Sequence, residues 1–299
     1  MKVLEEADLP EGLINVVTGF GPTTGAPLIE HQDVRMISFT GGTKGGSAAS
    51  LSASKNVKPI IMELGGKSPQ IIFKDADLTL SVNGVVSGIF PVSGHSCISG
   101  SRILVHKDIK DKFTHNLLEV VKKAKVGHPN DVATQIGPIA NKEQYEFILS
   151  KIEAAEKRGL KLLIDGRKEQ KSEGYYIGPT IFDNVPNEDD LAQNEVFGPV
   201  ASIQTWEDED EVIKIANDTI YGLAAGIWTN DTNKAIRLAD KIEAGTVYIN
   251  NYFNASTQSP VGGFKQSGYG RENGWEGMQS YMQTKSTWLA TNPSQPDPF

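Results

Sequence analysis

The stretch Val34-Arg35-Met36-Ile37-Ser38-Phe39-Thr40-Gly41-Gly42-Thr43-Lys44-Gly45-Gly46 joins an apolar run to a run of glycines. Residues 34–39 have the apolar content of a strand, Ser47–Lys55 is rich in alanine and serine and favours a helix, and Val57–Met62 has the character of another strand. Strands that alternate with helices predict a parallel sheet with right-handed crossovers. This stretch therefore predicts an α/β fold.

The same alternation runs through the rest of the chain. Leu13–Thr18 is a short apolar run between glycines, which predicts a further buried strand. The length of 299 residues suggests two domains. The later predicted strands are Gln70–Phe73, Ile103–His106, Lys161–Asp165, Ala201–Thr205, Ala224–Trp228 and Thr246–Ile249, and the later predicted helices are Asp77–Phe90, Lys110–Lys125, Lys142–Arg158, Glu209–Asn217 and Asn233–Ile242.

The glycine-rich turn Thr40–Gly46 lies between a predicted strand and a predicted helix. Dinucleotide phosphates bind at such turns, because glycines let the backbone approach and the helix N-terminus offers N–H groups and a partial positive charge. The spacing differs from G-x-G-x-x-G, so the segment also fits a tight turn with no ligand.

Composition excludes several classes of function. The net charge of -8 argues against a nucleic-acid surface, and no apolar stretch is long enough to cross a membrane. A single cysteine rules out an internal disulfide framework and fits a reducing, cytoplasmic compartment. The five histidines lie far apart in sequence, and no histidine or cysteine cluster has the spacing of a metal site.

The one cysteine, Cys97, lies in the segment Phe90–Arg102, among small and polar residues between an apolar run and a predicted strand. A cysteine at such a junction can present its sulfur to a substrate, and backbone N–H groups at a turn can help to stabilise a thiolate. A lone cysteine can equally be a small buried apolar residue.

Glu63 follows the predicted strand Val57–Met62 directly and precedes Leu64-Gly65-Gly66. A carboxylate at the end of a parallel strand lies on the sheet edge where α/β enzymes place their chemistry, and the glycines permit an unusual backbone path beside it. The alternative is a glutamate that caps a helix or a turn.

Together these segments resemble the NAD(P)-dependent aldehyde dehydrogenase superfamily. The resemblance covers essentially the whole chain, and its motifs occur in the family's order and at about its spacing. It implies an aldehyde-dehydrogenase-like α/β fold, with part of a Rossmann-type cofactor domain and an α/β catalytic domain built on a parallel sheet. The matching segments are Phe39–Thr43 with Gly46, Glu63–Lys67, Gly94 with Cys97 and Gly100–Arg102, Glu195 with Phe197–Pro199, and Gly262–Lys265 with Ser267–Gly268 and Gly270–Glu272.

The resemblance also implies catalytic roles. Cys97 would attack the aldehyde carbon to form a thiohemiacetal, which loses hydride to the nicotinamide and becomes a thioester. Glu63 would be the general base that activates water for thioester hydrolysis, and the backbone N–H of Cys97 would form half of an oxyanion hole. A covalent intermediate divides one difficult step into two, and the second step needs a proton acceptor near the water.

The implied cofactor is NAD or NADP. Gly41, Gly42 and Thr43 would lie along the pyrophosphate, with Gly46 in the same glycine-rich motif. Glu195 would hydrogen-bond the nicotinamide ribose. Phe197 would pack beside the nicotinamide, which Leu64 would approach through its backbone.

Three positions depart from the family's usual pattern. Gly42 stands where serine is usual, although the backbone can still contact a phosphate. Val92 stands where asparagine is usual, and His95 where glutamine is usual. His95 would either influence the thiolate or fill space, and we expect the second.

By the same resemblance, residues 1–65 are the last part of the cofactor domain, 66–266 the catalytic domain, 267–281 a return to the cofactor domain, and 282–299 an oligomerisation strand and tail. The full-length form would be a homo-oligomer, dimeric or tetrameric. Because the family has an additional N-terminal portion, we expect a shortened polypeptide. The alternatives are a non-catalytic fragment or binding module and a cofactor-independent thiol esterase.

Overall fold

The computed structural model describes residues 2–169, 171 and 173–299. Its strands are β1 (Ile37–Thr40), β2 (Ile60–Glu63), β3 (Pro69–Ile72), β4 (Arg102–His106), β5 (Lys161–Ile164), β6 (Thr180–Asp183), β7 (Val200–Trp206), β8 (Ala224–Trp228) and β9 (Thr246–Ile249). Its α-helices are α1 (Lys2–Glu6), α2 (Ala26–Glu30), α3 (Thr43–Ser54), α4 (Leu78–Ser87), α5 (Lys110–Val121), α6 (Lys142–Lys157), α7 (Asp190–Gln193), α8 (Glu209–Asn217), α9 (Thr232–Ala239) and α10 (Gly274–Ser280).

The strands form two sheets. The small sheet pairs β1 with β2 in parallel, and the large sheet has seven strands in the order β5-β6-β7-β4-β3-β8-β9. In the large sheet the β5–β6 pairing is antiparallel and the other pairings are parallel. The predicted α/β fold with a mostly parallel sheet is therefore confirmed.

Apolar layers cover both faces of the large sheet. Ile71 on β3 and Leu104 on β4 are fully buried, as expected where helices cover both faces of a parallel sheet. On one face α5 presents Phe113, Leu117 and Val121, which recur every four residues and form one apolar stripe. The other face packs against residues of α8 and α9. This packing makes the large sheet a rigid platform for the loops at its edge.

The strand predicted at Leu13–Thr18 is wrong. No strand forms there, and Leu13 and Val17 are 63% and 68% exposed. A strand needs a neighbour to pair its backbone, and within the described residues the small sheet consists of β1 and β2 alone. The apolar pattern of this segment is real, but its own chain gives it no pairing partner in the described structure.

Other predicted elements agree with the structure to different degrees. The predictions for α8, β8 and β9 are confirmed to the residue. Helix α3 begins at Thr43, four residues before the prediction, so Gly45 and Gly46 lie inside it. Gly46 is buried there and packs closely against Leu64, since a Cβ at this position would lie 2.6 Å from the Leu64 side chain. Helix α10 was not predicted, because its glycines conceal the helical pattern.

The chain returns to the small sheet near its end. The N–H of Met62 donates to the oxygen of Tyr269, and the N–H of Leu64 donates to the oxygen of Ser267, both at 2.9 Å. These bonds lie where the return to the cofactor domain was expected. The predicted domain boundaries remain predictions.

Three further segments complete the description. The polar segment Arg167–Gly178, whose sequence predicts an exposed hairpin, includes Gln170 and Ser172, which lie outside the described residues. Lys285–Leu289 forms no strand among the described residues, and its Trp288 is 95% exposed. Within the described chain no helix is long and apolar enough to span a bilayer, and those same residues contain no cluster of potential metal ligands.

Candidate active site

A cavity of about 570 Å³ opens where the two sheets meet. Strands β1 and β2 end side by side, with Thr40 in register with Glu63. The residues at both strand ends therefore lie at this cavity. From the side of the large sheet come the cysteine segment, the first turns of α6 and the loop before β7. The lining residues are Thr40, Gly41, Gly42, Glu63, Gly65, His95, Ser96, Cys97, Gln144, Phe147, Glu195 and Phe197.

Residues Glu63–Gly66, which we call the Glu63 turn, pack directly against Glu195. The N–H of Gly66 donates to Oε1 of Glu195 at 3.1 Å. A Cβ on Gly65 would lie 2.3 Å from the other carboxylate oxygen, so only glycine permits this approach. The glycines after Glu63 therefore bring the two carboxylates into one site.

A buried serine from the end of the chain fixes the same turn. Ser267 Oγ donates to the oxygen of Gly65 at 2.7 Å and accepts from the N–H of Gly222 at 3.0 Å. Its own carbonyl accepts from Leu64, as described above. Ser267 is fully buried, and it ties the Glu63 turn to the approach of β8.

Burial gives Glu63 an unusual affinity for protons. Desolvation raises the pKa of Glu63 to about 7, and the charge of Glu272 adds to this while Arg271 opposes it. Its Oε1 has no hydrogen-bond partner in the described part of the chain. At neutral pH this carboxyl is close to half ionised, which suits a group that must accept and release a proton.

Cys97 is half-buried at the floor of the cavity. Burial raises the pKa of its thiol, and the negative charges of Glu195 and Glu63 raise it further, although backbone N–H groups, including that of Ile98, oppose this. The thiol is therefore protonated at neutral pH, and attack by its sulfur requires a nearby proton acceptor.

The backbone before Cys97 is strained. Val92, Ser93 and Gly94 follow one another with φ of 55°, 56° and 71°. A β-branched residue such as Val92 rarely adopts this left-handed conformation. Gly94 has no alternative, since a Cβ there would lie 2.2 Å from the backbone of Gly198.

His95 lies beside this strained turn. Its ring stacks on Phe197, with centroids 5.5 Å apart and an interplanar angle of 23°. Burial lowers the pKa of His95, so the ring is neutral at pH 7 and has little charge with which to influence the Cys97 thiolate. The expectation that His95 fills space agrees with this geometry, which also gives it a defined partner.

The glycine-rich turn also lines the cavity, through Thr40, Gly41 and Gly42. Gly41 donates its N–H to the oxygen of Glu63 at 3.1 Å, and Gly42 stands at the N-cap of α3. Among the described residues no side chain caps this helix, so its first N–H groups are available to a ligand. A Cβ at Gly42 would meet nothing within 4 Å, so the serine usual in the family would also fit.

Three predicted cofactor residues lie behind the cavity wall. Thr43 begins α3, Gly46 is buried one turn later, and Leu64 contacts Gly46 with its side chain. The N–H of Leu64 is used by Ser267. These three residues are not among those that line the cavity, and their roles toward a cofactor stay predictions.

Sequence reasoning missed two residues of α6. Gln144 and Phe147 line the cavity, although they lie about 50 residues before Glu195 in sequence. Their helix was predicted correctly, but nothing in its pattern indicates which exposed residues of an amphipathic helix meet a distant loop. The only sequence signal is an apolar Phe147 on the polar side of that helix.

Lys67 is buried next to the site. Its Nζ donates to Ser101 Oγ at 3.0 Å, and the residue is 2% exposed. Burial lowers the pKa of Lys67 to about 7, and the charge of Arg102 lowers it further while Glu195 opposes this. A cation so poorly compensated is a cost to the folded state.

A model of the aldehyde dehydrogenase family matches residues 1–287. The chain belongs to the aldehyde dehydrogenase family. Aldehyde dehydrogenase 1A1 of Gallus gallus is 45% identical over 288 residues, which are 96% of this chain and 56% of the relative. Betaine aldehyde dehydrogenase of Bacillus subtilis is 41% identical over 296 residues, 98% of this chain and 60% of the relative. The chain thus spans less than two thirds of the length of these relatives.

Solved aldehyde dehydrogenases have the same fold. The betaine aldehyde dehydrogenase of Staphylococcus aureus, in complex with NAD+, superimposes with a TM-score of 0.95 at 40% identity and covers 100% of this chain and 60% of its own. The NAD+ complex of the Bacillus cereus aldehyde dehydrogenase gives 0.94 at 38% identity, over 97% of this chain and 59% of its own. The suspected family resemblance is therefore confirmed.

Proposed function

We propose that the chain oxidises an aldehyde to a carboxylic acid with NAD or NADP, with Cys97 as nucleophile and Glu63 as general base. The observation that supports this most is the cavity itself. It brings Cys97, Glu63, Glu195 and the glycine-rich turn together from four separate parts of the sequence.

The chemistry follows from the protonation states of the two central groups. The Cys97 sulfur attacks the aldehyde carbon, the thiol proton passes to solvent water, and the N–H of Cys97 stabilises the oxyanion that forms. Glu63, whose pKa is about 7, is ionised often enough to accept a proton. In the second half-reaction Glu63 takes a proton from water, the water oxygen bonds to the thioester carbon, and the carbon–sulfur bond breaks to release the acid and the thiol.

The residues of the cavity fit a dinucleotide. The uncapped N-terminus of α3 and the open position at Gly42 suit a phosphate, and the Glu195 carboxylate suits the hydroxyls of a ribose. When bound, the nicotinamide supplies the hydride acceptor for the first half-reaction. The NAD+ in the Staphylococcus aureus and Bacillus cereus relatives supports this choice.

The first test replaces the nucleophile. We expect Cys97→Ala to abolish aldehyde-dependent reduction of NAD while its affinity for NAD, measured by fluorescence titration, stays within about twofold. Ser96→Ala is the matched control, because it removes one heteroatom from the adjacent residue of the same cavity wall. Aldehyde oxidation that persists in Cys97→Ala would rule out the covalent mechanism.

The second test removes the base but keeps its shape. We expect Glu63→Gln to retain a first-turnover burst of NADH, while the steady-state rate falls by about 10²–10⁴-fold. Glu63 is protonated below its pKa of about 7, so wild-type thioester hydrolysis should rise with pH toward 7 and level off above it. Glu63→Gln should lose this rise. A variant that loses the burst and keeps its hydrolysis rate would assign Glu63 another role.

The chief alternative is a cofactor-independent thiol esterase, since a nucleophilic thiol and a base suffice to hydrolyse an activated ester and both line the cavity. Hydrolysis of an activated ester that needs Cys97 and Glu63, with no aldehyde oxidation when NAD or NADP is added, would favour it. A protein with neither activity would be a binding module or a non-catalytic fragment.

The resemblance also supports a cytoplasmic homo-oligomer, dimeric or tetrameric, in which residues 285–289 pair with a sheet of another subunit. Trp288 and Leu289 are 95% and 86% exposed, and apolar residues so exposed favour a partner surface. We expect light scattering to show an oligomer for the intact chain and a monomer after deletion from Lys285. A monomeric intact protein would refute this assembly.

A further inference from the structure

The loop of residues 195–199, which we call the Phe197 loop, contains a second strained position in the site. Phe197 has φ of 51° and is 39% exposed, with part of its ring in the cavity. A left-handed conformation is unfavourable for a residue with a bulky side chain, so it persists only where neighbours impose it.

Helix α6 holds the Phe197 loop from one side. Nε2 of Gln144 donates one proton to the oxygen of Val196 at 2.9 Å and the other to the oxygen of Phe197 at 3.0 Å. The backbone of Gln144 is fixed in the first turn of α6, because its N–H donates to the N-cap side chain of Asn141 at 2.8 Å. A primary amide offers two donor protons from one nitrogen, and a carboxylate offers none.

The cysteine segment holds the Phe197 loop from the other side. The His95 ring stacks on the Phe197 ring, and Gly94 packs on the backbone of Gly198 so closely that no Cβ would fit. Gly198 in turn lies against Ile148 of α6, where a Cβ would be 2.6 Å from the isoleucine side chain. The loop is thus enclosed between α6 and the residues that precede Cys97.

We propose that Gln144 and His95 are positioning residues that clamp the Phe197 ring before any cofactor binds. This rests on the proposed function in one respect, the assignment of Phe197 to the nicotinamide side of the site. A wall that is already ordered costs less conformational entropy when a ligand binds. The clamp therefore gives His95 a task beyond filling space, since its ring holds the Phe197 ring by stacking.

Four variants separate this role from simple space-filling. Gln144→Glu keeps the shape and loses both donors, and Gln144→Leu removes all polarity. His95→Ala removes the stack, and His95→Phe preserves it without a titratable group. Glu143→Gln, an exposed neighbour on the same turn of α6, is the matched control.

The first measurement is hydrogen exchange of the backbone amides of residues 196–198 without cofactor. We expect exchange to be roughly threefold to tenfold faster in His95→Ala, from the usual value of an aromatic pair. In Gln144→Glu it should be about tenfold faster or more, since two carbonyls lose their donors. His95→Phe and Glu143→Gln should match the wild type.

The second measurement is steady-state kinetics with NAD and an aldehyde. The clamp predicts a higher KM for NAD and a lower kcat in His95→Ala and in both Gln144 variants, with rescue in His95→Phe. A wild type without aldehyde oxidation would overturn the proposed function, while the exchange result would still decide the clamp.

Three results would overturn the clamp. The first is unchanged exchange in Gln144→Glu. The second is equal exchange in His95→Ala and His95→Phe. The third is exchange that rises as much in Glu143→Gln as in Gln144→Glu. If circular dichroism shows that His95→Ala fails to fold, the comparison of Gln144→Glu with His95→Phe and Glu143→Gln decides the matter.

Discussion

The two sheets share one sequence pattern and differ in what they bury. Around the large sheet, three apolar clusters contain most of the buried aliphatic and aromatic residues. The cluster against the small sheet has Ala49, Met62 and Leu64 as its buried members, and Ile37, Ala53 and Ile61 are also buried in this half. Nearby Val16, Val17 and Phe20 are 65%, 68% and 82% exposed. The cavity lies between these unequal halves.

The difference shows that an apolar run specifies a strand only in combination with its neighbours. Each inner strand of the large sheet has a ladder on both edges, whereas β1 and β2 pair only with each other among the described residues. A strand with more covered faces buries more apolar surface, and its contribution to the free energy of unfolding rises with that area. Substitutions should therefore have very different effects in the two halves.

The largest expected effect is a leucine truncation in each half. Leu104 is fully buried in β4, and Leu13 is 63% exposed. We expect Leu104→Ala to lower the free energy of unfolding by about 3–5 kcal/mol and Leu13→Ala by less than about 0.5 kcal/mol, measured by urea unfolding. Similar losses in the two variants would mean that the residues around Leu13 are buried in solution, and the contrast would fail.

A smaller effect concerns Lys67, at the junction of the two sheets. Its pKa is lowered from 10.5 to about 7 by folding, so between these values the unfolded state binds more protons. Stability should therefore rise with pH in this range, by about 2 kcal/mol between pH 7 and pH 9 from this group. Below pH 7 the lysine is charged in both states and the penalty is constant.

Lys67→Met tests this assignment. The methionine has similar length and no charge, so the variant should gain stability at pH 7 and lose most of the rise between pH 7 and pH 9. Lys44, exposed on α3, provides the control Lys44→Met, which should keep the wild-type profile. If Lys67→Met retains the full rise in stability between pH 7 and pH 9, other titrating groups cause that rise.

The smallest effect tests whether the well-packed half stores backbone strain. Val92 is 70% exposed and left-handed, so Val92→Asn loses little burial and gains a residue that tolerates this conformation. We expect the variant to be about 1 kcal/mol more stable than the wild type. Val132→Asn is the control, because Val132 is fully exposed and outside the left-handed region, and it should change little. Equal shifts would mean that Val92 is not strained.

Sequence alone predicted the large sheet well, because its strands and helices are long enough to show their periodicity. Short motifs also singled out Cys97, Glu63 and Glu195, which line one cavity, while their catalytic and cofactor-binding roles stay predictions. It failed at Leu13–Thr18, where the outcome depends on a pairing partner elsewhere in space. It missed Gln144 because two hydrogen bonds to a loop some 50 residues away leave no periodic trace.

The bond from Ser267 to Gly65 has a consequence for biosynthesis. It joins positions 202 residues apart, so on the ribosome the Glu63 turn is made long before its anchor. At about 5–20 residues per second, the wait between these 202 positions lasts roughly 10–40 s. Over that interval the nascent chain already contains Cys97 and Glu63 without the bond that fixes the turn between them. A polypeptide released before Ser267 is made would carry an unassembled thiol and carboxylate, so the site matures only after Ser267 has been translated.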